Sequence, residues 1–185
     1  MSETKVPQVI TGDGYGLGSE TTLIIPRGNP GLQPMRIDMT DIYRIIGRTE
    51  EIQRVTPATY GELITDFNMG MIQLNRIIGI TELELKESEN TLEMVSATAL
   101  LERVENHLKA KNIKSSSDTR EAAVVLDQEV IESTRKKDAL VAISTYVAGL
   151  KHALERAYFS AKQVTEFTSK DPYLNKNAGD KRNGR

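Results

Sequence analysis

From residue 40 onward, apolar positions recur at helical spacing over most of the chain. The longest unbroken register lies near the C-terminal end. Leu140, Ile143, Val147, Leu150, Leu154, Ala157, Ala161 and Val164 follow one another at alternating steps of three and four. Such a stripe is a heptad seam, and it predicts the face along which helices of an oligomer meet. Small side chains at Ala153, Ala157 and Ala161 would let a second helix approach closely. Upstream, Leu63, Phe67, Met71, Leu74 and Ile78 mark another helix, which Gly79 would bend or interrupt. Leu85, Leu92, Val95 and Ala99 then continue the pattern, with Leu101, Val104 and Leu108 on the adjoining stripe.

Starts and stops fit these stripes. Thr40 or Asp41 caps a first short helix carrying Ile42, Ile45, Ile46 and Ile52. Thr56-Pro57 is a second start, with threonine as the cap and proline at the first helical position, where its missing donor is harmless. Asp118 and Glu121 have capping-box spacing and open a final helix running to about Phe167. Residues 1–37 read as an irregular arm. Gly12, Gly14, Gly16 and Gly18 alternate, Pro26, Pro30 and Pro34 follow, and neither residue type favours a helix. Within the arm, Leu23, Ile24 and Ile25 are able to add a strand or dock on a neighbouring subunit. The expected organisation is an arm over 1–37, a helical domain over 38–169 and a disordered polar tail over 170–185. The expected fold class is all-α.

Composition sharpens this picture. Hydrophobic residues make up 38% of the 185-residue chain and aromatic residues 5%, with no Trp. That is thin for a large globular core and suits long helices that share their apolar stripes in a homo-oligomer. The net charge is -2, so any nucleic-acid contact needs a local basic patch. No cysteine is present, which excludes disulfides and thiolate chemistry. No apolar run reaches the roughly 18 residues of a membrane span. The start, Met1-Ser2-Glu3-Thr4-Lys5, has no signal-peptide core, so a cytoplasmic location is expected.

Catalytic chemistry has no foothold in this sequence. Gly14, Gly16 and Gly18 miss the dinucleotide fingerprint by one position, and no Walker A lysine follows. His107 and His152 lack a ligand at helical spacing. Glu82, Glu84, Glu87, Glu89 and Glu93 read as a solvated helix face. A non-enzymatic protein with no cofactor and no metal is expected. Two basic segments remain. Lys109, Lys111 and Lys114 sit at a helix end, with Arg103 before them and the hydroxyls of Ser115, Ser116 and Ser117 after them. The second segment is the tail, with Lys176, Lys181, Arg182 and Arg185. Lysine neutralises phosphate, and hydroxyls can donate to it.

The C-terminal half resembles phage recombination mediators of the UvsY type. The residues that carry the likeness are Asp127-Gln128-Glu129-Val130, Tyr146, Gly149, Ala153, Phe159 and Lys162. Ala99-Leu100 with Arg103 resembles the stretch that holds the family's DNA contacts. The likeness covers about residues 85–165. It departs at Leu101, where the family pattern has a lysine, so only Arg103 carries over. The resemblance implies a ring-like homo-oligomer that binds single-stranded DNA. It also implies contacts with a recombinase and a single-strand binding protein, the former being loaded in place of the latter. A second reading is a virion structural or assembly protein (a neck, connector or scaffold component) whose extended arm laces subunits together.

Overall fold

The computed structural model describes residues 16–19 and 21–170; of residues 16–20, 57 and 168–170 no side chain is described. The protein is mainly helical. Three short strands, β1 (Gly16–Ser19), β2 (Thr22–Ile25) and β3 (Met35–Asp38), precede α1 (Thr40–Gly47) and a 3-10 segment at Arg48–Arg54. Then come α2 (Pro57–Thr98), a π-helical segment at Ala99–Val104, α3 (Glu105–Ala110), α4 (Ser117–Val125) and α5 (Gln128–Lys170). The chain divides into two compact units. The first holds residues up to Asp38 and Ile78–Tyr146; the second holds Met39–Ile77 and the chain from Val147.

In the first unit, the described part of the arm is ordered sheet, not irregular chain. The strands form one antiparallel sheet in the order β1-β2-β3, with Leu23 opposite Ile37 and Ile25 opposite Met35. The apolar run at 23–25 supplies the central strand. Its period of two turns Leu23 and Ile25 inward, where both are fully buried. The prolines lie in the connection between β2 and β3. There Gly28 presses against α2: a Cβ at Gly28 would stand 2.5 Å from the Ser88 backbone nitrogen and 2.7 Å from the Glu84 carbonyl. Glu84 leaves the expected solvated face to hold this loop. It accepts from the Gly28 N–H at 2.8 Å, and Thr91 Oγ1 donates to the Gly28 carbonyl at 3.0 Å. Arg27 Nε lies 2.7 Å from Glu84 Oε1; its N–H does not point along that contact, so this is an ion pair without a hydrogen bond.

In the second unit, α1, α2 and α5 meet at Gly70. A Cβ there would lie 2.7 Å from Leu154 Cδ1 and 3.1 Å from Ile45 Cγ2. On α2 the buried register is Leu63, Phe67, Gly70, Leu74 and Ile77; Met71 and Ile78, expected on that stripe, are half-buried. Gly79 does not interrupt α2. Thr56 caps α2 as expected: its Oγ1 accepts from the Thr59 N–H at 3.4 Å, and Thr59 Oγ1 accepts from the Thr56 N–H at 3.0 Å. Arg48 ends α1 by gathering carboxylates. It contacts Asp66, Glu51 at 3.1 Å and Glu62 at 3.0 Å, and these hold its proton more firmly than usual.

The final helix starts later than the Asp118 reading placed it. Ser116, not Asp118, caps α4, and its box partner is Thr119 rather than Glu121. The chain then breaks at Leu126-Asp127, and Asp127 caps α5, accepting from the Glu129 N–H at 3.1 Å and the Val130 N–H at 3.4 Å. The C-terminal stripe is covered within one chain. Leu140, Ile143, Val147, Leu154, Ala157 and Ala161 are buried, and Leu150 and Val164 half-buried. Ala153, expected with Ala157 and Ala161 to let a second helix approach, is exposed. Residues 171–185, including the expected disordered tail and its basic residues, lie outside the described residues, as do Gly12 and Gly14.

Two outcomes follow from this packing. Gly28→Ala puts a methyl group onto the α2 backbone and should lower the unfolding free energy by about 1–3 kcal/mol, read by urea denaturation. Leu154→Ala should cost about 2–5 kcal/mol without changing the native mass. A fall in mass with unchanged stability would place the stripe between subunits instead.

Candidate nucleic-acid interface

The basic segment lies in the first unit, between the π turn and α4. From Pro57 to Ala110 the backbone stays right-handed helical through the wider π turn. It stops sharply at Asn112, whose φ of 53° is the left-handed conformation that asparagine tolerates better than most residues. The Ile113 N–H reaches the Leu108 carbonyl at 3.0 Å and the Asn112 N–H reaches the Lys109 carbonyl at 3.2 Å. That pair of bonds is a Schellman ending. It leaves Lys111 and Lys114 on either side of the left-handed residue, both exposed.

Charge pairing separates the predicted contact residues. Arg103 is committed to the fold: its Nε and Nη2 donate to the two oxygens of Asp127 at 2.8 and 2.9 Å, and Nη1 lies 2.9 Å from Glu129 Oε2. The fork-on-carboxylate geometry raises the Arg103 pKa and, with the α5 backbone N–H groups, holds Asp127 below the usual carboxylate range. Lys109 sits 3.8 Å from Glu105, which Arg120 also engages at 2.8 Å. Lys111 and Lys114 make no ion pair among the described residues.

The serine hydroxyls expected to meet phosphate are engaged locally. Ser115 Oγ accepts from Arg120 Nε at 2.8 Å, Ser116 caps α4, and Ser117 Oγ donates to Glu121 at 3.2 Å. Asp118 stands in the first turn of α4 and opposes an anion there. The local cationic surface thus reduces to Lys111 and Lys114, with Lys109 partly neutralised.

An open groove of about 310 Å³ in the first unit runs past Gly28, Thr91, Glu129, Glu132 and Lys136. Its two carboxylates disfavour phosphate. No group of three or more potential metal ligands occurs among the described residues, and His107 and His152 are exposed, His152 facing Glu155 at 3.0 Å. No helix among them is long and apolar enough to cross a membrane.

The Arg103–Asp127 pair gives a pH test. Because the folded-state pKa of Asp127 is depressed below its ordinary 3.8, its stabilisation is present above that value. It is lost as pH falls through the lower folded-state value. Asp127→Asn keeps a capping oxygen but removes the charge. It should weaken the fold at neutral pH and remove this part of the acid-induced destabilisation, read as urea midpoints across pH. Parallel acid limbs for the variant and the natural chain would contradict the assignment.

Compared with known proteins, the chain matches no family, no curated protein and no solved structure.

Proposed function

We propose that this chain is a non-enzymatic single-stranded-DNA-binding protein acting as a recombination mediator, loading a recombinase in place of single-strand binding protein. The observation that carries the reading is the pair Lys111 and Lys114. They are exposed and without carboxylate partners among the described residues, and a Schellman turn and a capped helix hold them in a defined loop. Two lysines bind phosphate weakly alone. Repeated in a cytoplasmic homo-oligomer along one strand, they gain avidity without new contacts. Such contacts read backbone and not base, which suits a mediator that must act on any sequence. The resemblance over residues 85–165 points the same way, while Arg103 leaves the proposed contact set for the structural one.

The virion-assembly reading drew on a free lacing arm. From Thr22 to Asp38 the arm pairs within its own sheet and Gly28 is clamped on α2, so no observation favours that reading here.

Changing Lys109, Lys111 and Lys114 to Glu should weaken binding of a labelled oligonucleotide regardless of its sequence. The slope of log K against log salt should fall by about 0.7 for each phosphate that is no longer neutralised. Native mass and helical circular dichroism should stay unchanged. Wild-type affinity with an unchanged salt slope would move the site elsewhere.

A further inference from the structure

We propose that the outer face of the C-terminal half of α5, centred on Phe159 and Phe167, is a second single-strand contact on which bases stack between flanking cations; this rests on the single-strand-binding reading above. Phe159 and Phe167 are 61% and 77% exposed, unusual for the most apolar aromatic side chain. They are eight residues apart on one helix, which places them about 12 Å apart along its axis. Tyr158 meets Phe159 edge-on, with ring centroids 5.5 Å apart and planes at 86°.

The charges around these rings decide what the face takes. Arg156 and Lys162 stand three residues before and three after Phe159, so they flank it on the same side of the helix. Both are exposed and neither makes an ion pair among the described residues. The nearby carboxylate of Glu155 is already engaged, by Lys151 at 3.6 Å and His152 at 3.0 Å. A bare apolar face would suit a protein partner. Phe159 is set between unpaired cations, while Phe167 lies further along beside Glu166, a carboxylate that has a partner of its own. A ring flanked by cations suits a chain that alternates flat bases with phosphates. Stacking is tolerant of sequence because every base has a π-face, while Arg156 and Lys162 supply the phosphate contacts.

The test uses the full-length chain and a labelled oligothymidylate. Phe159→Ala with Phe167→Ala should lower affinity roughly 5- to 150-fold for each stacked base that is lost, while leaving the salt slope and native mass unchanged. Arg156→Gln with Lys162→Gln should reduce the salt slope by about 0.7 per cation. Since the chain has no Trp, Phe159→Trp places the only tryptophan at the site, excited selectively over the tyrosines. Its emission should be quenched by oligothymidylate and not by an abasic strand of equal charge. That readout holds even where the alanine pair fails to fold. Unchanged affinity of the alanine pair, or no base-dependent quenching, overturns the proposal, as does a fall in native mass that accounts for the weaker binding, since the face would then join copies of the chain. If the lysine-loop variant weakens binding and the phenylalanine pair does not, only this inference falls. If the natural chain binds no oligonucleotide, the functional reading falls with it.

Discussion

The Asp127 carboxylate does two things at once. It accepts the first free N–H groups of α5, and it receives both prongs of the Arg103 guanidinium from the π turn that ends α2. The first contact starts the long helix that carries the C-terminal stripe and the exposed rings. The second ties that start to the π turn on the far side of the Lys109–Lys114 loop and α4. An arginine in this position is held too firmly to be offered to phosphate, because releasing it would leave Asp127 uncompensated at 14% side-chain exposure.

The same sorting runs through the molecule. Arg27 is taken by Glu84, Arg48 by Glu51, Glu62 and Asp66, Arg120 by Glu105, and Lys151 by Glu155. Most of these cations join separate elements, whereas the Lys151 pair lies within one helix. Lys111, Lys114, Arg156 and Lys162 have no carboxylate partner among the described residues, and they are exposed beside a rigid turn or beside exposed rings. In a chain of net charge -2, function by phosphate contact has to rest on such local leftovers.

Much of the helical framework is legible in the sequence because its causes are local. Thr56-Pro57 starts a helix by capping and by a pre-set φ, and the stripe from Leu140 to Val164 marks a covered face by period alone. What periodicity does not contain is the identity of the cover: the same period serves a stripe buried within one chain and a seam between chains. The sheet at 16–38 is hidden because glycine and proline dominate its turns, while the contacts that hold it come from Glu84 and Thr91 far along the chain. The break at Asp127 joins a local cause, its cap on the Glu129 and Val130 N–H groups, to a distant one, the Arg103 guanidinium. A lone arginine reads the same free or paired, so Arg103 looks available until Asp127 and Glu129 stand beside it. The exposed pair Phe159 and Phe167 does carry a sequence signal: two aromatics off the buried register of an otherwise regular stripe.

The central claim is that the natural chain holds single-stranded DNA through phosphate contacts. Equilibrium binding of the unmodified protein to a labelled oligothymidylate, titrated with salt, tests it most directly. The account predicts measurable affinity at low salt, with log K falling linearly as log salt rises and a slope that reports several phosphates per oligomer. No binding at low salt, or an affinity indifferent to salt, would contradict it.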